Sequence, residues 1–552
     1  EIYNYRELRA DLLRRGHTLA SEGDTETLVH LYEEYGDAFL AKLRGMFAIA
    51  IRDDRRRRLL VARDRLGIKP LYWTRLGRGL AFASELKSLL ELPGVAREID
   101  LESLDHYFRF LTTPRAHSIV KGVQKLEPGN VLVAEDGREP VVSRWWDVKF
   151  EPVVRAPQEE REMLRALLDD SVRAHMVSDV PVGAFLSGGV DSSTVVALMA
   201  RHVSGPLETF SIGFDEREFD ERGFARQVAS RFGTRHFEAV LEPGEVADLL
   251  PEMAWHLDEP FGDSSAIPTW LVSRLAASHL KVVLSGDGGD ELFAGYDRYR
   301  VEGRERRFDR VPALLRRAAG AVARAMPVGM RGRERLRHHA LAGRERYLDA
   351  CSIFRTEELR RLLTHEARAQ LEAPELEGSA HWLSRLQNFD LHGYLPLDIL
   401  TKVDRMSMAH SLEARVPFLD HTVVEFAATI PADSHLYEDG RTKRVLKEAV
   451  RGLIPDEVID RPKRGFAVPL GRWLRGPLAD LAGDLLLSGR LQSRGLLDPR
   501  EVERIYRRPS RGADSDLDLK LWTLLSLELW CRSYLDGDRR RIPAPVPARQ
   551  RA

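Results

Sequence analysis

The sequence predicts an α/β protein of two domains. A smaller antiparallel β unit comes first, followed by a doubly wound parallel sheet with a helical carboxy-terminal part. Three observations predict it. The chain has 552 residues, more than one hydrophobic core usually serves. From Gly45 to Ala83 short apolar runs are separated by turn residues, the mark of antiparallel strands. Beyond Glu159, apolar runs of strand length alternate with segments of helix length, the mark of βα crossovers. Composition excludes other classes. Hydrophobic residues at 43% and charged residues at 31% are those of a globular enzyme, and a net charge of −1 offers nothing to nucleic acid. No apolar run nears the ~20 residues of a membrane span. Cys351 and Cys531 make neither a disulfide framework nor a metal set, so both read as structural thiols in a reducing cytoplasm.

The elements follow in order. Residues 5–15 predict a helix, and Asp24 to Tyr35 a second one, with Asp24 or Thr25 placed to cap it. Phe47, Ile49 and Ile51 alternate with small residues, and short strands at Leu59–Ala62, Leu71–Thr74 and Leu80–Ala83 extend them into an antiparallel meander. A helix over Ser84–Leu90 follows. Gln124 to Asn130 leads into a further strand, and residues 151–158, with Pro152 and Pro157, read as a linker between domains 1–150 and 159–535. In the second domain strands are expected at Val182–Leu186, Thr209–Phe214, Phe237–Leu241 and Lys281–Leu284. Helices are expected at Thr194–His202, from about Asp220 to Phe232, up to His256 and over Ser265–His279. The Arg-rich stretch from Arg304 to Arg346 reads as a solvated helical face. The tail 536–552, with prolines among arginines, reads as disordered.

Two turns carry chemistry. In Leu186-Ser187-Gly188-Gly189-Val190-Asp191-Ser192-Ser193 a strand passes tightly into a helix, so backbone N–H groups and the helix N-terminus converge where an anion can sit. The serines add hydroxyl donors. Asp191 repels phosphate unless a cation lies between, and Mg²⁺ is the usual bridge. Ser285-Gly286-Asp287-Gly288-Gly289-Asp290-Glu291 also follows a strand, where ligands bind doubly wound sheets. Read alone it could be a Ca²⁺ loop, but the twelve-residue ligand spacing is missing. Pyrophosphate with Mg²⁺ fits it better. Only 12 of the 84 basic residues are lysine, which makes each lysine less a matter of background composition.

The first turn lacks the Gly-Lys-Ser/Thr of a Walker A loop and resembles the PP-loop of ATP pyrophosphatases. Gly23 to Glu26, Arg63 to Tyr72 and Ala83 to Lys87 resemble the class II glutamine amidotransferase domain of asparagine synthetases, an αββα sandwich. Leu397 to Met408, Glu413 to Asp420 and Arg461-Pro462-Lys463-Arg464-Gly465-Phe466 resemble their synthetase domain. The resemblance implies amidation of aspartate to asparagine through β-aspartyl-AMP, with release of AMP and pyrophosphate. Its small molecules are ATP, aspartate and glutamine or ammonia. It puts Ser187, Gly188, Gly189, Ser192 and Ser193 on pyrophosphate, Asp191 and Asp290 on Mg²⁺, and Leu186, Ile212, Ser285 and Gly286 on adenosine. Lys463 would touch the α-phosphate. Asp287, where family members often carry Glu, would act as base or positioning group, and Asp24 would hold the amino group of glutamine. Asp404, Arg405 and Arg415 read equally as substrate-side groups or buried structural ion pairs. The family's nucleophilic cysteine corresponds to a position before Glu1, so these 552 residues are expected to use ammonia. A β-lactam synthetase-like ligase, a tRNA-modifying PP-loop enzyme and a non-catalytic relative are the alternatives, and a homodimer is the assembly considered.

Overall fold

A computed structural model describes residues 1–537 except Arg78, Arg217 and the stretches 328–329, 367–380, 438–439, 462–467 and 509–514. Lys463 and most of the expected tail lie outside the described residues. Of the tail, Asp536 is described, and Arg494 holds it at 2.7 Å.

The first domain is layered. Helices Tyr5–Arg14 and Asp24–Tyr35 pack Leu12, Leu28 and Leu31 onto one face of a sheet of four strands: β1 (Ala48–Asp53), β2 (Arg58–Arg63), β6 (Asn130–Glu135) and β7 (Val141–Arg144). A second sheet holds β3 (Tyr72–Leu76), β4 (Gly79–Ala83) and β5 (Val123–Lys125). Val61 and Leu132 meet Leu71 and Leu126 between the sheets, and helices Leu86–Leu89 and Leu101–Phe110 cover the far side. The layers therefore run α, β, β, α.

The meander is two hairpins in different sheets, because the chain between β2 and β3 is pulled into a turn. Arg63 donates to the carbonyls of Gly67, Lys69 and Leu126, while Asp64 accepts the N–H groups of Ile68 and Lys69. The helix at Asp24 begins after Gly23 without a side-chain cap, and the Asp24 carboxylate instead accepts the Ile2 N–H at 3.2 Å.

The second domain is built on a five-stranded, wholly parallel sheet of order β10-β9-β8-β11-β12. Its strands are β8 (Val182–Phe185), β9 (Glu208–Phe214), β10 (Arg235–Leu241), β11 (Val282–Leu284) and β12 (Glu413–Arg415). Neighbouring residues on β11 enter different cores: Val283 packs with Trp270 and Ala414, Leu284 with Val195 and Leu419. Helices thus cover both faces. The chain winds outward from β8 through β9 to β10, then returns to place β11 on the other side of β8. This reversal opens a crevice at the carboxyl ends of β8 and β11.

The Arg-rich stretch is only partly a solvated face. Arg346 is fully buried, with Glu302 at 3.0 Å and Asp309 at 2.8 Å. The last helix, Ser515–Tyr534, closes the molecule against the first domain, where Tyr107 donates to the carbonyl of Thr523 at 2.7 Å.

Candidate active site

The crevice opens into a cavity of about 500 Å³. The turn after β8 forms one wall. Helix Val190–Met199 starts earlier than the apolar pattern suggests, with Gly189 at its N-cap, so Asp191 and Ser192 belong to its first turn. Gly188 has φ 71°, and a Cβ there would lie 2.6 Å from Phe224 and Ala225. Only glycine lets the loop pass that close to its neighbour. The turn after β11 forms the opposite wall. A Cβ at Gly289 would lie 2.6 Å from Asp191 Oδ1, so the two acidic turns touch through glycine.

Leu186, Ser187, Gly189, Asp191, Ser192, Ile212, Ser285, Gly286, Asp287 and Asp290 all line the cavity. Two expected residues do not. Gly188 is closed off behind Phe224, and Ser193 is fully buried, because the helical step after Ser192 turns its side chain into the core.

The centre of the site is a lysine that no motif marks. Lys443 Nζ lies 2.6 Å from Asp290 and also pairs with Asp191. Its side chain is buried, and its φ of 60° is left-handed, a costly conformation for a residue with a side chain. Burial works against its charge, but Asp191 and Asp290 hold its pKa above the usual lysine value. Deeper in, Lys402 reaches Asp263 at 2.6 Å and the Ser265 hydroxyl at 2.8 Å. Burial pushes the Asp263 carboxyl up, yet Lys402 and Ser265 bring it down to about 2. Asp287 accepts a hydrogen bond from Ser285 and is nonetheless raised, chiefly by burial. Glu291 is pushed up to about 7 by burial and by Asp290, and it accepts from the Tyr296 hydroxyl at 2.6 Å. The scarcity of lysine was the sequence signal that could have drawn attention to Lys443, whereas Lys402 also lies within the family-like string Leu397 to Met408.

Asp404, Arg405 and Arg415 do not line the cavity. Asp404 pairs with Lys69 at 2.8 Å, and Arg405 meets Asp258 at 2.9 Å and the Ser84 carbonyl at 2.7 Å. Arg415 donates to the carbonyl of His175 at 2.8 Å and pairs with Glu413 at 2.6 Å. All three belong to contacts that join segments distant in sequence. Asp24 lines a separate concavity of about 490 Å³ with Glu1, Arg6 and Arg9.

The two acidic turns suit a hard cation. Asp191 and Asp290 converge on one Nζ, so their oxygens approach a common point, and oxygen is the donor Mg²⁺ takes.

Comparison with known proteins gives the family. The profile of the asparagine synthase family matches residues 163–532, and that of a glutamine amidotransferase domain matches residues 1–146. A putative glutamine-hydrolysing asparagine synthetase of Mycobacterium tuberculosis is 40% identical, covering 97% of this chain and 84% of its own. Glutamine-hydrolysing asparagine synthetase 1 of Bacillus subtilis is 36% identical over 98% of this chain and 86% of its own. Amidase chry2 of Gibberella zeae is 27% identical over 90% and 80%.

Proposed function

The chain belongs to the glutamine-hydrolysing asparagine synthetase family, and from that premise we propose how its residues carry the reaction. It is a ligase that forms a carbon–nitrogen bond, amidating aspartate at the expense of ATP. The observation that carries the residue assignment is the meeting of two glycine-rich acidic turns on Lys443 at the switch point of the parallel sheet.

A carboxylate resists ammonia until its oxygen becomes a good leaving group. The β-carboxylate of aspartate attacks the α-phosphorus of ATP, the bond to the β-phosphate breaks and pyrophosphate leaves. Ser187, Ser192 and the N–H groups that begin helix Val190–Met199 receive the departing anion, and Lys443 adds a fixed positive charge beside it. Asp191 and Asp290 would hold Mg²⁺, which neutralises phosphate charge when bound. Leu186, Ile212, Ser285 and Gly286 face the adenosine end. Ammonia then attacks the acyl carbon, AMP departs, and a nitrogen proton passes to a carboxyl in the cavity. Asp287 and Glu291 are both available, and Glu291, near 7, is matched to neutral pH. Lys463 remains assigned to the α-phosphate through the family resemblance.

In the first domain, Asp24 beside Arg6 and Arg9 supplies the opposite charges that the amino and carboxylate groups of glutamine require. Releasing the amide nitrogen needs an activated thiolate. Burial pushes Cys351 up to about 11 and Cys531 up to about 12, so neither serves. The domains are read as 1–150 and 159–535, and the reaction as cytoplasmic; sedimentation of the purified chain tests for a homodimer. Purified protein given ATP, Mg²⁺, aspartate and ammonium should yield asparagine, AMP and pyrophosphate in equal amounts. Appearance of ADP would sink the assignment.

A further inference from the structure

The loop after helix Tyr5–Arg14 turns at Gly16, whose φ of 95° is left-handed, and the His17 N–H is tied back to the Leu12 carbonyl at 3.1 Å. This delivers the His17 ring to the middle of helix Asp24–Tyr35. There His17 Nδ1 lies 3.1 Å from His30 Nδ1, and His30 Nδ1 lies 3.3 Å from Glu33 Oε2. His30 and Glu33 are one turn apart and share a helix face. None of the three lines the ATP cavity.

Two imidazole nitrogens that face each other this closely need a proton or a cation between them. The other nitrogen of His17, Nε2, meets the Glu34 carboxylate at 3.2 Å, which can only accept. A proton on Nε2 satisfies that contact, which leaves Nδ1 as the His17 atom that faces His30 and can bind a cation. Glu34 is itself held by Arg15 at 3.0 Å. A carboxylate that fixes a histidine tautomer in this way is the usual outer partner of a metal-bound imidazole.

The spacing agrees. Zinc bonds of about 2.0–2.1 Å in a tetrahedron put neighbouring ligand atoms roughly 3.3–3.4 Å apart. The observed separations of 3.1 and 3.3 Å are close to those edges. Two imidazoles with one carboxylate suit Zn²⁺ and similar transition cations, whereas Mg²⁺ and Ca²⁺ take oxygen. The side chains of His17 and His30 are 17% and 19% exposed and that of Glu33 is 58% exposed, so water can complete the coordination.

We propose that His17, His30 and Glu33 form a binding site for one zinc-type divalent cation, with water as the fourth ligand. Such an ion pins the first helix's trailing loop to the second helix, the one that begins at Asp24 in the proposed glutamine pocket.

The test uses the whole chain, stripped with a chelator and titrated with Co²⁺ in the absence of ATP. The expected result is the visible absorption of tetrahedral Co²⁺, saturating at one equivalent and abolished by Zn²⁺ but not by Mg²⁺. His17→Ala with His30→Ala should weaken binding at least a hundredfold. Glu34→Gln, which leaves every ligand in place, should weaken it roughly ten- to a hundredfold. Melting of the metal-free variants checks that they fold, and should match the parent. Absence of the absorption, or its survival in the double variant or at full strength in Glu34→Gln, overturns the proposal.

Discussion

Two charged networks in this protein use the same residue types to opposite ends. In the cavity, Asp191 and Asp290 pair with Lys443, and Asp287 and Glu291 line the same open space. In the seam between the domains, Asp258, Glu259 and Asp404 gather around Lys87, Lys125, Lys69 and Arg405, and the space is filled. Asp258 also accepts the Leu86 N–H at 2.7 Å, and Glu259 accepts from the Tyr72 hydroxyl at 2.9 Å and the Ile119 N–H at 2.8 Å. Seam carboxylates are closed by partners from the other domain. Cavity carboxylates adjoin a volume that an anionic nucleotide and its counter-ion can enter. Charge alone therefore does not mark a site; charge beside a concavity does.

Arg405→Ala takes its guanidinium from Asp258, which keeps Lys87 at 2.9 Å, so the loss is that of a charge-assisted hydrogen bond, about 1.5–3 kcal/mol. Denaturant unfolding should show that loss, while KM for ATP at a permissive temperature stays within about twofold. A large rise in KM with unchanged stability would make Arg405 part of the site.

Asp191→Asn should do the reverse. It removes a charge that matters most as pyrophosphate departs, and a fall of at least about a hundredfold in AMP formation, or about 2.7 kcal/mol, is expected. Thermal melting should be little changed. Near-normal pyrophosphate release would return Asp191 to a structural role.

The seam also responds to pH. His175 is buried against Tyr3, with ring centroids 4.0 Å apart, and burial pushes its pKa down to about 4. Asp420 works in the opposite direction, and Arg44 and Arg415 add to the depression. The unfolded chain then binds the proton more readily than the folded one, so stability is full above about pH 6.5 and falls with acid. Linkage gives a loss of about 2 kcal/mol between pH 7 and pH 5 from this group. His175→Gln should flatten the stability profile by that amount over the same interval. An unchanged slope would place the acid sensitivity elsewhere, for instance at His106 or His435, also buried and held near 4.

Much of the architecture was legible. Helix Asp24–Tyr35 falls where its apolar spacing puts it, and β8 to β11 follow the apolar runs within a residue or two. The two turns that wall the cavity were readable because glycine spacing, flanking strand and helix onset are all local. β12 was not singled out as a strand. Its three residues, Glu413–Arg415, have no alternation of their own and become a strand by pairing with β11. The string Arg63 to Tyr72, specific as a family mark, is in space a turn held by the Arg63 and Asp64 side chains, with Lys69 reaching across the seam.

The order of the two domains, the parallel sheet, the two glycine-rich acidic turns and the family were all readable in the sequence, because these rest on periodicity and on motifs whose parts are neighbours along the chain. Tertiary structure alone decided that Lys443, 252 residues from Asp191, stands between the two carboxylates, and that Asp404 and Arg405 close a seam rather than a pocket. It also brought His17 against His30 across a turn. The physical reason is common to all three. A charge or a lone pair acts over a few ångströms, and only the fold decides which residues of a long chain come within that distance.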